Sequence, residues 1–503
     1  MRGSLPRPSV PGGAAHPLSQ RHLRDTCGRY GSRMPAASPA PSAPPPSFVL
    51  RTDRRGVVAW ALWDWGSAAF NAVVTTFVFT TYLASRAFVD PALVAREGSA
   101  SGRAAVADAL AHNATVVSVA LTIAGIVVAL VAPVVGRLAD AGGRRKRSVL
   151  VATIGTVAAV ALMVVVAPEQ PFLVIGASLL GIGTVAYEIA SVGYNAMLGQ
   201  VAVPERTGRV SSIGWAAGYF GGIVLLVVLL LLCIQDFGVE GRAGLLQLPS
   251  TAAGGSWDVR VAIGVAALWF AVSAVPLFLV VPEAAPAPVR VGSVLTAYVD
   301  LGRDIARLWR ERRQVLWFLV ASAVFRDGVT GVFTFGGILA AQVFGFSPSE
   351  VILFAIAANV VAGIATVLSG RLDDRIGSRA LIIAALVGLV VCGSGVLVIG
   401  TAQTGFWVLG LALCVFVGPV QSSSRAYLAR LAVPGREGEL FGLYATTGRA
   451  ASFLAPALFG LAVTIGGATR FGILGIVAVL LVGLVLMVLV RAPAGEVRDA
   501  VAG

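Results

Sequence analysis

From residue 58 onward the chain alternates between long apolar runs and short polar breaks. A helix needs about 20 apolar residues to cross roughly 30 Å of hydrocarbon. Runs of that size recur at 58–85, 114–136, 148–167, 171–198, 209–234, 259–281, 315–342, 350–370, 380–400, 405–430, 440–465 and 469–490. Inside lipid every backbone N–H and C=O must find a partner within the protein, so such runs cross as α-helices. The pattern predicts an all-α membrane protein with twelve transmembrane helices.

The breaks sort by charge. Those at 136–147, 204–209, 282–314, 370–379 and 434–439 are rich in arginine; those at 168–171, 346–350, 402–405 and 465–470 are not. Positive loops stay on the inner side of a membrane. The expected arrangement is an inner (plasma) membrane protein with both termini cytoplasmic. The long break at 86–113 carries Arg86, Arg96 and Arg103 and is the exception. Within 282–314, Val294, Tyr298, Leu301, Ile305 and Leu308 recur at helical spacing, with Asp300, Arg303, Arg307 and Arg310 on other faces. That pattern predicts an amphipathic helix on the inner leaflet. Residues 1–50, with the run PSAPPP at 41–46, lack apolar periodicity and read as a disordered cytoplasmic tail.

The chain also repeats itself. GRLAD at 136–140 returns as GRLDD at 370–374, and NAMLGQVAVPERTG at 195–208 returns as RAYLARLAVPGREG at 425–438, at nearly one offset. Two six-helix bundles related by a pseudo-two-fold axis along the membrane normal follow: 56–281 and 315–491, joined by the 282–314 linker and followed by a short tail at 492–503. Polar stripes repeat as well. Asp64, Ser67 and Asn71 share the i, i+3, i+7 spacing of Asp327, Thr330 and Thr334; Glu188, Ser191 and Asn195 stripe span 4, and Gln421 and Arg425 its partner, span 10. Polar groups at membrane depth are costly and mark pathways, so Asp64, Ser67, Asn71, Glu188, Asn195, Arg326, Asp327, Thr330, Gln421, Arg425 and Arg449 are the expected substrate or ion pathway. The acids could instead form structural pairs with Arg326, Arg425 or Arg449. Tyr187, Tyr194, Trp215 and Tyr219 could bind substrate or simply pack.

Composition narrows the function. Charged residues make up 13% of the chain, against about a quarter in soluble domains. The net charge of +13 sits in the tail and the loops, not on a face suited to nucleic acid. Cys27, Cys233, Cys392 and Cys414 lack metal-ligand spacing, the three histidines lie outside the spans, and no GxxxxGK[ST] loop is present. The chain is expected to act without metal or cofactor, on a small-molecule substrate in a bilayer. Any uphill movement then draws on a gradient, most simply of protons.

GRLADAGGRRKR at 136–147 resembles the loop 2–3 signature of the major facilitator superfamily, through Gly136, Asp140, Gly143, Arg144 and Arg145. Ala141 departs from it, whereas the second copy keeps the arginine as Arg375. The stretches 60–79, 194–222 and 418–456 resemble the vacuole-effluxer-like branch, which includes fungal vacuolar amino-acid effluxers; Arg449 stands where that branch suggests lysine. The resemblance implies a non-enzymatic transporter working by alternating access, with an amino acid or related zwitterion as substrate. It also implies that Gly136, Asp140, Arg144, Arg145, Asp374 and Arg375 form a latch, an acid meeting basic groups or a helix N-terminus across the two bundles. A broad-specificity drug or metabolite exporter of the same fold is the alternative. A lipid-modifying enzyme or a scaffold is the alternative of another class.

Overall fold

A computed structural model describes residues 53–234, 245–249, 255–283, 294–346, 348–399 and 402–491. The expectations for the two tails and for the first part of the linker lie outside these residues. Eleven helices among the described residues are long and apolar enough to cross a bilayer. In the first half they are α2 (Ala100–Ala141), α3 (Arg145–Met163), α4 (Phe172–Ala196), α5 (Thr207–Leu229) and α6 (Trp257–Val280), with α1 (Arg54–Ala68) before them. The amphipathic α7 (Val294–Glu311) leads into α8 (Arg313–Gln342), α9 (Pro348–Ile376), α10 (Ser378–Val398) and α11 (Gln403–Leu431). The last described helices are α12 (Glu437–Ala451) and α13 (Leu454–Gly466), which together make one crossing, and α14 (Gly472–Leu489). Side chains such as Val398, Leu279 and Ile465 are at least three-quarters exposed, which only a hydrocarbon surrounding makes favourable.

Span 1 is the expected crossing missing from these eleven. After α1 the backbone widens into a π-helical segment, Ala69–Phe77, before a short helix at Phe79–Leu83. Threonine hydroxyls explain the change. Thr75 and Thr76 both donate to the Asn71 carbonyl, at 2.8 and 2.7 Å, and Thr80 donates to Val74 at 3.0 Å. Side chains that take these carbonyls compete with the regular ladder. Span 11 breaks outright, between α12 and α13. Pro456 lies in the first turn of α13, where its missing N–H costs nothing, whereas continued helix would need that donor.

The expected loop at 86–113 is largely helix. Ser99 caps α2 by accepting from the Gly102 N–H at 3.0 Å, and α2 then runs 42 residues, about 63 Å at 1.5 Å per residue. Its early turns therefore stand clear of the hydrocarbon. α7 lies within the linker: Leu301 is buried, Tyr298 donates to the Leu130 carbonyl at 3.1 Å, and Val299, Ile305 and Trp309 are exposed.

Within each half the helices pack mainly on one another; the main contacts between halves are α2 on α12 and α5 on α9, with α5 also on α11 and α4 on α12. The first two correspond by the repeat. Both depend on glycine. A Cβ on Gly136 would stand 2.1 Å from the Gly438 carbonyl oxygen, and one on Gly370 would stand 2.9 Å from the Arg209 Cα. Pro133 adds a tie: it cannot donate to Ala129, and the carbonyl thus freed accepts from Thr446 across the interface at 2.9 Å.

Candidate functional site

The Arg-rich end is built from the repeated loops. Asp140 ends α2 with one carboxylate oxygen on Arg145, at 2.5 and 3.0 Å, and the other accepting from the Glu439 N–H at 3.0 Å. That N–H belongs to the first turn of α12, where the helix dipole favours an anion. Arg145 continues to Glu437 at 2.8 Å and to the Ala196 carbonyl at 3.2 Å. The second copy does the same with different partners. Asp374 accepts from the Gly208 and Arg209 N–H groups at the start of α5, at 2.9 and 3.2 Å. Arg430 holds Asp374 at 3.1 Å and Asp373 at 2.6 Å. Gly143 and Gly377, equivalent by the repeat, both take positive φ, +58° and +83°, which glycine allows without strain.

Arg144 and Arg375 stand apart from this network. Both are exposed, and neither pairs with either acid. Arg375 directly follows Asp374, and adjacent residues do not face each other on a helix; Arg144 lies in the turn beyond α2, before the first residue of α3, and is exposed. The sequence reading missed Arg430, Glu437, Glu439 and Asp373. A signal existed: Asp373 doubles the acid where the first copy has Ala139, and the second repeat stretch carries REGE.

Deeper, Asp64 and Arg425 meet across the halves at 2.9 Å. Arg425 is 2% exposed. Its guanidinium also donates to Asn195 at 3.2 Å, to the Ser211 hydroxyl at 3.0 Å and to the Ser211 carbonyl at 2.5 Å. The Trp60 and Trp215 rings lie 4.8 and 5.2 Å away, where cation–π attraction supports a desolvated charge. Farther from the Arg-rich end Glu188 pairs with Arg449, a second bridge between the halves. Nearby Asn71 donates to the Tyr187 hydroxyl at 2.7 Å. Exposure rises along this direction: the acid side chain is 16% exposed in the first pair and 24% in the second, and Asn71 and Thr330 are exposed.

Two expected pathway residues, Asp327 and Ser67, make contacts elsewhere. Asp327 turns from the halves' interface: its carboxylate accepts from the Ala455 N–H at 2.6 Å, in the first turn of α13. It caps the break in span 11, which explains how the carboxylate is accommodated at that depth. Ser67 is buried and donates to the Asp64 carbonyl at 3.1 Å, within its own helix. Thr330 donates to the Arg326 carbonyl at 2.9 Å. Arg326 lies over the Tyr444 ring at 3.9 Å and reaches its carbonyl at 3.5 Å, without a carboxylate partner among the described residues. Gln421, one turn before Arg425, holds a buried amide oxygen without a protein partner. Among the aromatics, Tyr194 stacks between Trp60 and Trp63, with ring centroids 4.6 and 4.2 Å away, and is a packing residue.

Residues 52–500 match the family described as "Vacuole effluxer Atg22 like". The chain belongs to that family. This Atg22-like chain is 23% identical over 433 residues to the MFS-type transporter YxiO of Bacillus subtilis (strain 168), covering 86% of the chain and 94% of that protein. It is 29% identical over 315 residues to autophagy-related protein 22 of Cryptococcus neoformans, covering 59% of the chain and 52% of that protein. The match thus spans about half the fungal relative's length. Solved structures agree on the fold. The human organic anion transporter MFSD10 superposes with TM-score 0.64 at 15% identity, over 86% of this chain and 99% of that one. The Escherichia coli fucose:proton symporter FucP gives 0.63 at 12% identity, over 87% and 98%. The Atg22-like chain is an integral membrane transporter of the major facilitator fold.

Proposed function

We propose that this protein is a secondary active transporter that moves a small carboxylate-bearing solute, an amino acid or related zwitterion, by alternating access between its halves. The charge arrangement between the halves carries the reading. Asp64 and Glu188 come from the first half, and each meets an arginine of the second. Arg326 has aromatic and carbonyl contacts, and the neighbouring Asp327 is turned to the N-terminus of α13, so this guanidinium meets no carboxylate among the described residues. A planar guanidinium suits a carboxylate. A substrate carboxylate therefore docks on Arg326, and its ammonium group competes with Arg449 for Glu188. That competition loosens a bond between the halves and couples binding to movement. The π segment at Asn71 and the break beside Arg449 supply irregular backbone at this depth, as discontinuous helices do in transporters.

The Arg-rich end is taken as cytoplasmic, with both termini on that side. Its latches are closed, so this conformation faces outward. Uphill movement draws on an ion or solute gradient, most simply of protons, and efflux is the direction the family description supports. Purified protein in proteoliposomes should exchange labelled amino acids by counterflow. Arg326→Gln should raise the half-saturation concentration about tenfold or more, since a hydrogen bond to a charged group is worth about 1.5–3 kcal/mol. Labelling from outside should modify Gln403→Cys and miss Arg375→Cys. If correctly inserted protein exchanges no amino acid or small carboxylate but does bind apolar drugs, the broad-specificity exporter replaces this reading.

A further inference from the structure

A groove of about 950 Å³ runs along the outside of the first half, away from the pathway. Its floor is α4. α2 and α3 each pack along α4 but meet one another little, so they diverge as walls. Ile123, Val151 and Ile182, which line it, are each more than half exposed, and Gly155 keeps it open between them. Such a surface belongs in hydrocarbon.

At the Arg-rich end the lining changes to Arg144, Arg147 and Ser148. Four consecutive cations occupy this turn, and they divide. Arg145 points inward to Asp140 and Glu437, and Lys146 donates to the Phe278 and Val281 carbonyls at 3.1 and 2.8 Å. Glu283, the acid alongside, is engaged by the backbone N–H groups of Lys146 and Arg147, at 2.6 and 3.3 Å. Neither the Arg144 nor the Arg147 guanidinium has a hydrogen-bond or ion-pair partner among the described residues. Two exposed guanidiniums thus sit at the membrane-surface mouth of an apolar groove, where a phosphate belongs at one end and acyl chains at the other.

We propose that this groove binds an anionic phospholipid, its phosphate held by Arg144, Arg147 and the Ser148 hydroxyl and its chains lying on α4. Arg144 adjoins Arg145, so a bound headgroup steadies the turn that presents Arg145 to Asp140. The test is lipid retention. The full chain is purified from membranes, exchanged into mixed phosphatidylglycerol and phosphatidylcholine, and its bound lipid counted by native mass spectrometry. Phosphatidylglycerol should be retained in preference to phosphatidylcholine. Arg144→Gln with Arg147→Gln should weaken that retention about thirtyfold, two contacts at about 1 kcal/mol each. Arg371→Gln with Arg375→Gln, in the equivalent loop of the other half, should leave it unchanged. Val151→Trp fills the groove without touching charge and should also lower it. Equal retention of both lipids, retention unaffected by the Arg144 and Arg147 pair, or retention unaffected by Val151→Trp in a monodisperse protein would each overturn the proposal.

Discussion

At the first latch Arg145 stands between acids of both halves, Asp140 at 2.5 Å and Glu437 at 2.8 Å. At the second, Arg430 stands between two acids of its own half, Asp373 and Asp374, at 2.6 and 3.1 Å. Both latch acids cap a helix of the opposite half, Asp140 at α12 and Asp374 at α5. The cap is thus the shared device, and the charge network around it is not. The first latch ties the halves by side chains as well as by backbone. The second relies on backbone N–H groups, since the side-chain crossing found there among the described residues, Arg209 to Asp374, is 3.8 Å long and its arginine is 44% exposed. A repeat therefore preserves what helix geometry imposes and lets surrounding charges drift.

The comparison can be broken most directly at Asp140. Asp140→Ala leaves a buried arginine and an α12 N–H without their shared acceptor. It should cost about 3–5 kcal/mol, the range for breaking a buried pair. Apparent melting temperature in detergent should drop, and crosslinking between the ends of α2 and α12 should become less efficient. Asp374→Ala should cost less, about 1.5–3 kcal/mol for lost charge-assisted bonds, because a second acid remains at each arginine but Arg430 is 19% exposed against 3% for Arg145. Equal losses at the two sites would erase the distinction drawn between them.

The glycines sharpen it further. Gly136→Ala sets a methyl group against a carbonyl oxygen, whereas Gly370→Ala meets the Ser212 side chain and the Arg209 Cα at 2.8 and 2.9 Å. Overpacking typically costs about 1–3 kcal/mol, and Gly136→Ala should lie at or above the upper end, measured as thermal stability against Gly370→Ala. Arg375→Gln should change latch crosslinking and stability least, within about 0.5 kcal/mol. A clear loss there would return Arg375 to the latch.

The two acids of the proposed latch were legible. Asp140 and Asp374 stand out through the repeat, and an acid at a helix end has few partners besides a cation or another helix's N–H groups. Arg144 and Arg375 were expected in the latch and pair with neither acid here: motif membership fixes position along the chain, while direction around the turn depends on what packs beside it. Asp327 teaches the same lesson. Its stripe matched that of Asp64, yet it meets the first turn of α13, since the break in span 11 leaves N–H groups unpaired close to α8. Pro456 was the visible sign of that break.

The sequence by itself determined the helices, their number within one irregular span, the two-fold repeat and the sorting of charge to one face. These follow from apolar length, from the cost of unsatisfied backbone in lipid and from the placement of arginine, all of which are local along the chain. Only the tertiary structure decided which charge meets which. Arg425 reaches Asp64 because α5 and α11 pack closely enough for Ser211 and two tryptophans to enclose a guanidinium. Arg326 remains without an acid because the capping of α13 claims Asp327. A stripe specifies a helix face, whereas a partner is set by the crossing and ending of other helices, which no periodicity encodes.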